Sequence, residues 1–511
     1  MSVWSSGYVA DVGYTYGYFT ELNPLRTKLA LLSKGLAFPE VVNACELGFG
    51  QGLSVGIHAA ASPINWYGTD FNPSQTAFAQ QLVSIANSGA KLADDSFDEF
   101  LRRDDLPQFD YIGLHGIWSW IDDDNRKILV EFVRKKLKAG GVLYVSYNTL
   151  PGWSAFAPLR HLLSKHGSIL GAPGEGTLGR VDGAISFVEN LLATNPGYAR
   201  GSSEITGRLA SLKTLSKQYI AHEYFNRHWL PMHFTEIAEK LEGAKIDFAC
   251  SAHFLDHIEG LNLTAAQKSF LGAIPDLVLR ENTRDFIVNQ AFRKDYWIKG
   301  ATKLNSMEIL EKIRSERVVL TVPAAEIPKS VTGALGEAEL QDAAYGYLLD
   351  VLSDQKPRTL EQLEKALQKN NVGFVKMQQC VMILAGMGCL AVAQDDSIAE
   401  KQKKSTDKLN RYLVNKAKGG SEIGHLASPL TGGGVEVDQV QQLFLAAFWQ
   451  GKKRLDELAD SAWDTIQSQG RAVVKSGVVL KSPEENIEEI RARADAFLEK
   501  RLSTLKALMI V

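Results

Sequence analysis

Two carboxylates and three glycines, closely spaced, carry the strongest chemical signal in the chain. Glu46, Gly48, Gly50 and Gly52 lie in the run VVNACELGFGQG at 41–52, and Asp70 closes Gly68-Thr69-Asp70. Glycines let a backbone turn tightly and approach a ligand with no Cβ in the way. A pyrophosphate site has the spacing G-x-G-x-x-G and seats its anion on a helix N-terminus. Here the spacing is Gly48-x-Gly50-x-Gly52, and an acid precedes it. A carboxylate beside a phosphate is repelled, whereas it suits a cationic ligand with an amino acid tail. Asp70 falls at the tip of the next strand, where a carboxylate accepts both hydroxyls of a ribose. Phe49, inside the turn, and Phe71, directly after Asp70, complete the candidate binding set.

The elements that must position these residues follow from the apolar runs. A strand ending at the turn, a helix over 53–61 and a second strand ending at Asp70 make the front of a nucleotide-binding βαβ unit. A helix over 74–87 and a short strand at 90–93 then deliver Asp94-Asp95-Ser96. In this topology the third strand ends at the adenine. Either aspartate can accept the exocyclic amine; Asp95 is favoured, with the Ser96 N–H reaching a ring nitrogen. The fourth strand, 109–114, opens into His115-Gly116-Ile117-Trp118-Ser119-Trp120. A helix over 122–138, acidic at its start and basic at its end as the helix dipole favours, stops at Gly140-Gly141. A fifth strand over 142–147 leads to Asn148. Alternating strands and helices predict a doubly wound, Rossmann-like parallel sheet, with ligands beyond the carboxyl ends of its strands. Trp118, Trp120, Tyr147, Asn148 and Trp153 fall at those ends, with His115 as a candidate for proton relay.

Around this unit, residues 8–22 read as a loop with aromatic anchors that either closes over the ligand or seals the surface. Asn23-Pro24 starts a helix. Residues 154–230 read as a helical insertion, and a helix at 233–241, a strand-like run at 246–254 and a helix and strand within 286–297 supply the parts that complete a seven-stranded sheet. Residues 305–395 read as a winged-helix-like unit: a strand at 315–326, helices at 337–353, 359–369 and 374–387, and a strand at 390–393. Its third helix carries one basic residue, Lys376, among apolar ones, so no nucleic acid is expected. Residues 395–409 read as a linker, and 410–511 as a mainly helical C-terminal region. Its last helix, from Ser482-Pro483, is amphipathic and packs on its own domain or on a partner, a second copy in a homodimer being one.

The totals bound the rest. A chain of 511 residues predicts two or three domains. With 45% hydrophobic and 23% charged residues it has the composition of a soluble globular protein, and a net charge of −3 gives no global pull toward nucleic acid. Four scattered cysteines, no long apolar span and no signal-like start point to the cytoplasm, away from membranes. His253 and His257 stand four apart, but no H-E-x-x-H occurs and the run around them reads as a strand, so no metal is expected.

E-L-G-F-G-Q-G followed by G-T-D resembles the first two motifs of class I S-adenosylmethionine (SAM) methyltransferases. L-H-G-I-W-S-W at 114–120, S-Y-N-T-L-P-G-W at 146–153 and A-H-E-Y-F-N-R-H-W-L-P-M-H-F at 221–234 are similar to bacterial methyltransferases that carry a methyltransferase regulatory domain. The similarity covers about 1–300, with the regulatory-domain-like part at about 215–300. It implies SAM as cofactor, held by Glu46, Gly48, Gly50, Gly52 and Asp70, and protein lysine as acceptor, since the best known members methylate bacterial surface proteins. The family often has E-L-G-C-G where Phe49 stands here, which points to a different subgroup. Two other readings share the SAM site: methylation of a small molecule or glycan hydroxyl, and a SAM-binding regulatory or scaffold protein without transfer activity.

Overall fold

The apolar runs pair into one mixed sheet. Its strands are β1 (Asn43–Leu47), β2 (Asn65–Thr69), β3 (Lys91–Ala93), β4 (Phe109–Leu114), β5 (Leu137–Asn148), β6 (Asp247–Ser251) and β7 (Phe292–Ile298). A computed structural model describes residues 8–9, 12–172, 174, 176–201, 204–340, 343–475 and 477–511. Residues 1–7, read as lacking a signal segment, and residues 10 and 11 of the aromatic loop lie outside them. The strand order is β3-β2-β1-β4-β5-β7-β6. The first five strands run parallel, and β7 is antiparallel to both β5 and β6. β4 is buried along all six residues, as expected of a central strand covered on both faces.

The helices cover both faces. Asn23 caps α1 (Pro24–Ser33) by accepting the Leu25 N–H, and Asn72 caps α3 (Pro73–Ala86) in the same way. Between them, α2 (Leu53–Ala61) follows the glycine turn and is buried throughout. α4 (Phe97–Arg102) and α5 (Asp123–Lys136) pack on the opposite face. α5 ends sooner than its sequence suggests. Gly140-Gly141 lies inside β5, where the register steps from Phe109↔Leu137 to Tyr111↔Val142 and Gly140 takes φ 77°. The extra residues bulge out of the ladder, which a glycine with positive φ permits.

The insertion is helical as expected, with helices Ala157–Ile169, Gly176–Ala193, Glu204–Leu212 and Lys217–Tyr224. Their core also takes in Val9 and Val12, so the insertion holds the N-terminal loop in place.

Two expectations in the C-terminal half need correction. The stretch 337–353 begins as a hairpin, Ser330–Gly333 with Gly336–Glu339, before a helix at Ala343–Leu352. Two further helices and a three-stranded antiparallel sheet built on Arg317–Leu320 follow. The expected linker at 395–409 is the first part of a 22-residue helix, Asp396–Ala417. Its lysines face water, while Ala399, Thr406, Leu409, Asn410, Leu413 and Val414 are buried. Ala399, Leu409, Leu413 and Val414 join Leu53, Ile57, Ala60 and Leu82 of α2 and α3 in one apolar cluster. The C-terminal region therefore shares a core with the nucleotide-binding unit.

Candidate functional site

A cleft of about 960 Å³, its open mouth included, lies beyond the carboxyl ends of β1 to β4. Three turns converge there. The first is the glycine turn after β1. Gly48 has φ 71° and Gly52 φ 70°, both in the left-handed region that costs other residues strain. A Cβ on Gly48 would come within 2.3 Å of Ile117 Cδ1 across the cleft, and one on Gly52 within 2.3 Å of Ala79 Cβ on α3. Gly48 and Gly50 line the cleft. Gly52 serves the packing of α2 on α3, and Phe49 lies behind the turn in the core, so neither lines the cleft.

Asp70, at the end of β2, lines the cleft and braces the turn. Its Oδ2 accepts the Gly50 N–H at 2.8 Å and its Oδ1 the Asn72 N–H at 3.0 Å. Burial nevertheless pushes its carboxyl up to about 6, against the pull of those two N–H groups. Glu46 does not line the cleft: it lies behind the turn, 3% exposed, and its Oε2 is buried with no hydrogen-bond partner. Burial, and then the neighbouring Asp70, push this carboxyl up to about 8. Among the described residues neither acid has an ion-pair partner. Two buried, uncompensated carboxyls beside a glycine turn fit a ligand that brings a cation and hydroxyl donors.

The second turn follows β3. Asp95, Ser96 and Phe97 line the cleft, as does Phe71 after β2. The expected role of the Ser96 N–H is corrected, because it donates to Glu99 Oε2 at 2.9 Å in the capping box of α4. Asp95 Oδ2 accepts from Arg103 at 3.1 Å. Asp94 does not line the cleft.

The third turn follows β4 and sets the other wall, with His115, Gly116, Ile117 and Trp120. His115 Nδ1 pairs with Tyr144 Oη at 2.7 Å, and its ring stacks on Phe19 at a centroid distance of 3.5 Å. Burial holds the imidazole down at about 3, so it is neutral at physiological pH. Gly116 N–H donates to Ser146 Oγ at 2.9 Å. Tyr144 and Ser146 were not singled out from the sequence, although alternation along β5 places them on one face and Tyr147 on the other.

Three expected acceptor-side residues are corrected, the first by that alternation. Tyr147 turns away from the cleft and donates to Asp295 Oδ2 at 2.5 Å, in a buried network with Arg293 and Asp285. Trp118 is 2% exposed in the core between the sheet and α5, where its carbonyl accepts from Arg126. Asn148 is buried, its N–H bonded to Ser119 Oγ. Trp153 packs in the core of the insertion. Of the tryptophans named from the sequence, only Trp120 lines the cleft.

The aromatic loop does reach the site. Tyr8 and Tyr14 line the cleft, and a Cβ on Gly50 would meet Tyr14 Cδ1 at 3.2 Å. His222 clamps this loop from the insertion: its Nε2 meets Val12 O at 3.1 Å, and its ring packs against both tyrosines. His228 also lines the cleft. Among the described residues no group of histidine, cysteine or acidic side chains is arranged to hold a metal ion, and no helix is long and apolar enough to cross a membrane.

Comparisons with known proteins agree with this geometry. A family profile described as a predicted methyltransferase regulatory domain matches residues 216–299. The uncharacterized protein sll1526 of Synechocystis sp. is 37% identical over 512 residues, 99% of each chain. The uncharacterized protein RP789 of Rickettsia prowazekii is 24% identical over 61% of this chain and 56% of its own. Among solved structures, PKMT2 of Rickettsia typhi in complex with AdoHcy superimposes with a TM-score of 0.68 at 18% identity, covering 96% of this chain and 98% of that one. Its likeness extends the shared fold through the C-terminal region. With a full-length relative, the matched profile and a glycine turn flanked by two buried acids, this chain belongs to the class I SAM-dependent methyltransferases that carry a methyltransferase regulatory domain.

Proposed function

We propose that this protein transfers methyl groups from SAM to lysine side chains of proteins. The observation that carries the reading is the pair of buried acids, Glu46 and Asp70, with no counterion among the described residues, beside the turn at Gly48 and Gly50. SAM, when bound, supplies an electrophilic methyl on a positively charged sulfur. Asp70 would accept the ribose hydroxyls with the lone pairs its two backbone contacts leave free, and Glu46, buried behind the turn, would act on the amino acid end through its charge. Gly48 and Gly50 let the backbone come close, and Tyr14 screens the turn from water.

On the acceptor side the work is alignment and desolvation. A lysine must arrive neutral, and an aromatic, poorly hydrated wall disfavours its charged form. Trp120 offers such a wall. His115, neutral and hydrogen-bonded to Tyr144, adds no positive charge to repel the ammonium. Protein lysine as the acceptor is supported by the family resemblance in the 114–153 and 221–234 motifs.

The test is incubation of the protein with radiolabelled SAM and a bacterial lysate. Label in protein bands that survives base treatment is the expected result. Label confined to small molecules would move the acceptor to a hydroxyl or small amine, and no label at all, with SAM still bound, would leave a SAM-binding regulator.

A further inference from the structure

A second cleft, about 1080 Å³ with its mouth included, opens where three parts of the chain meet. One wall is the segment that leads into α1, with Glu21 and Arg26; another is the antiparallel sheet around Leu390–Val392; the third is the C-terminal region with His425, Glu436 and Arg501. It borders the SAM cleft through Phe19, which lines the second cleft and stacks on His115 of the first.

Its two buried arginines make no ion pair among the described residues, although carboxylates lie within their electrostatic reach: Glu21 for Arg26, and Glu326, Asp438 and Glu436 for Arg501. Glu21 and Lys294 pair at 2.7 Å and cancel. Arg26 and Arg501 are 8% and 6% exposed, while Glu436 sits at the exposed rim. Among the described residues neither arginine has a carboxylate within ion-pair distance. Among the described residues, the hydrogen bonds of both go to backbone carbonyls of neighbouring segments. Arg26 Nη1 donates to Ala385 O at 3.0 Å, while its Nε is buried without an acceptor and its Nη2 has none among the described residues. Arg501 donates to Thr321 O at 2.6 Å and to Glu436 O. Arg26 also lies over the Phe254 ring at 3.8 Å, which fixes the plane of its guanidinium.

A buried cation with no carboxylate in direct contact is unfavourable, and a guanidinium fork with free N–H groups is shaped for a carboxylate or phosphate. Carbonyl ties alone would explain why the arginines sit at a junction, but not why two of them face the same open space. We propose that this cleft binds a small multivalent organic anion, carrying carboxylate or phosphate groups, between Arg26 and Arg501. Such a ligand would bridge α1, the central small sheet and the C-terminal region, one ring removed from the SAM cleft.

The experiment titrates the full-length protein with citrate and, separately, with inorganic pyrophosphate at constant ionic strength, by calorimetry and by melting temperature. Saturable binding of at least one probe is expected, and the stronger of the two tells a carboxylate ligand from a phosphorylated one. Arg26→Gln and Arg501→Gln should each weaken that binding about tenfold or more, the loss of one charged hydrogen-bonding group. Ala391→Glu keeps both arginines and places a negative charge on the cleft wall, so it should abolish binding even if a glutamine variant folds poorly. SAM titrations of the same variants should match the unmodified protein. Absence of saturable binding by both probes, or unchanged binding in folded variants, would overturn the proposal.

Discussion

Asp70 and Gly50 are joined across twenty residues of chain by a hydrogen bond of 2.8 Å from the glycine N–H to the carboxylate. The second carboxylate oxygen holds the Asn72 N–H, so one side chain ties the turn after β1 to the turn after β2. This makes Asp70 both a part of the scaffold and a ligand group. Asp70→Ala should weaken SAM binding by about 1–3 kcal/mol through lost charge-assisted hydrogen bonds. Calorimetric titration measures it, and an unchanged affinity would remove Asp70 from the site. Asp70→Asn, which keeps an acceptor oxygen for the turn, should lose less.

Glu46 makes the site sensitive to pH. Its carboxyl titrates near 8 in the free protein, so at neutral pH it is mostly protonated, and a ligand that brings an ammonium must drive that proton off. SAM affinity should therefore rise between pH 6 and 7.5 with proton release into buffer, and Glu46→Gln should flatten the rise. The stability of the free protein moves the opposite way. A carboxyl raised from 4.5 to about 8 contributes stability below pH 4.5 and loses it as the pH climbs toward 8. Asp70, raised from 3.8 to about 6, adds the same sign over a lower window. Ligand-free Glu46→Gln should thus melt higher than the unmodified protein at pH 8, with the gap closing toward pH 4.5.

These groups were legible because their chemistry is local. Acid, glycines and second acid lie within one βαβ unit, and apolar runs announce its strands. What was missed needs distant parts of the chain. His228 reaches the cleft from the end of the insertion, and Tyr8 and Tyr14, in a loop for which the sequence left closing over the ligand and sealing the surface both open, reach it because the insertion carries Val9, Val12 and His222 against the sheet. The helix Asp396–Ala417 was misread as a linker for a related reason. Its first half shows lysines to water, and the buried Leu409, Leu413 and Val414 come at and beyond the end of the stretch read as a linker. Their partner, α2, is more than 300 residues away in sequence, as the Gln394–Ala61 hydrogen bond between the same regions also shows, with a separation of 333.

His115 and Tyr144 set a test of how the acceptor loses its proton. With the imidazole held near 3 by burial, no limb from His115 should appear in the rate profile between pH 6 and 9. The rise across that range should follow the acceptor lysine instead. Tyr144→Phe removes the 2.7 Å partner and frees the ring to turn. It should lower kcat without moving the profile along the pH axis. A limb near pH 6.5 that disappears in His115→Asn would show instead that the imidazole titrates and carries the proton.

The two tryptophans of the turn after β4 should separate by their effect on the acceptor's KM. Both lie in one short turn, Trp118–Trp120, but Trp118 packs into the core between the sheet and α5, whereas Trp120 lines the cleft beside His115 and Ile117. Trp118→Ala removes a large buried side chain and should cost about 3–5 kcal/mol of stability, read from denaturant melts. Trp120→Ala also removes a buried side chain, 8% exposed, so it should lower the melt as well, but it should in addition raise KM for a protein acceptor, because a cation held against a ring face loses roughly 0.5–2 kcal/mol when the ring is removed. Trp120→Phe should recover part of that loss. If Trp120→Ala changes only stability, the acceptor does not pass this wall, and the entry must be sought on the side of Tyr8 and His228.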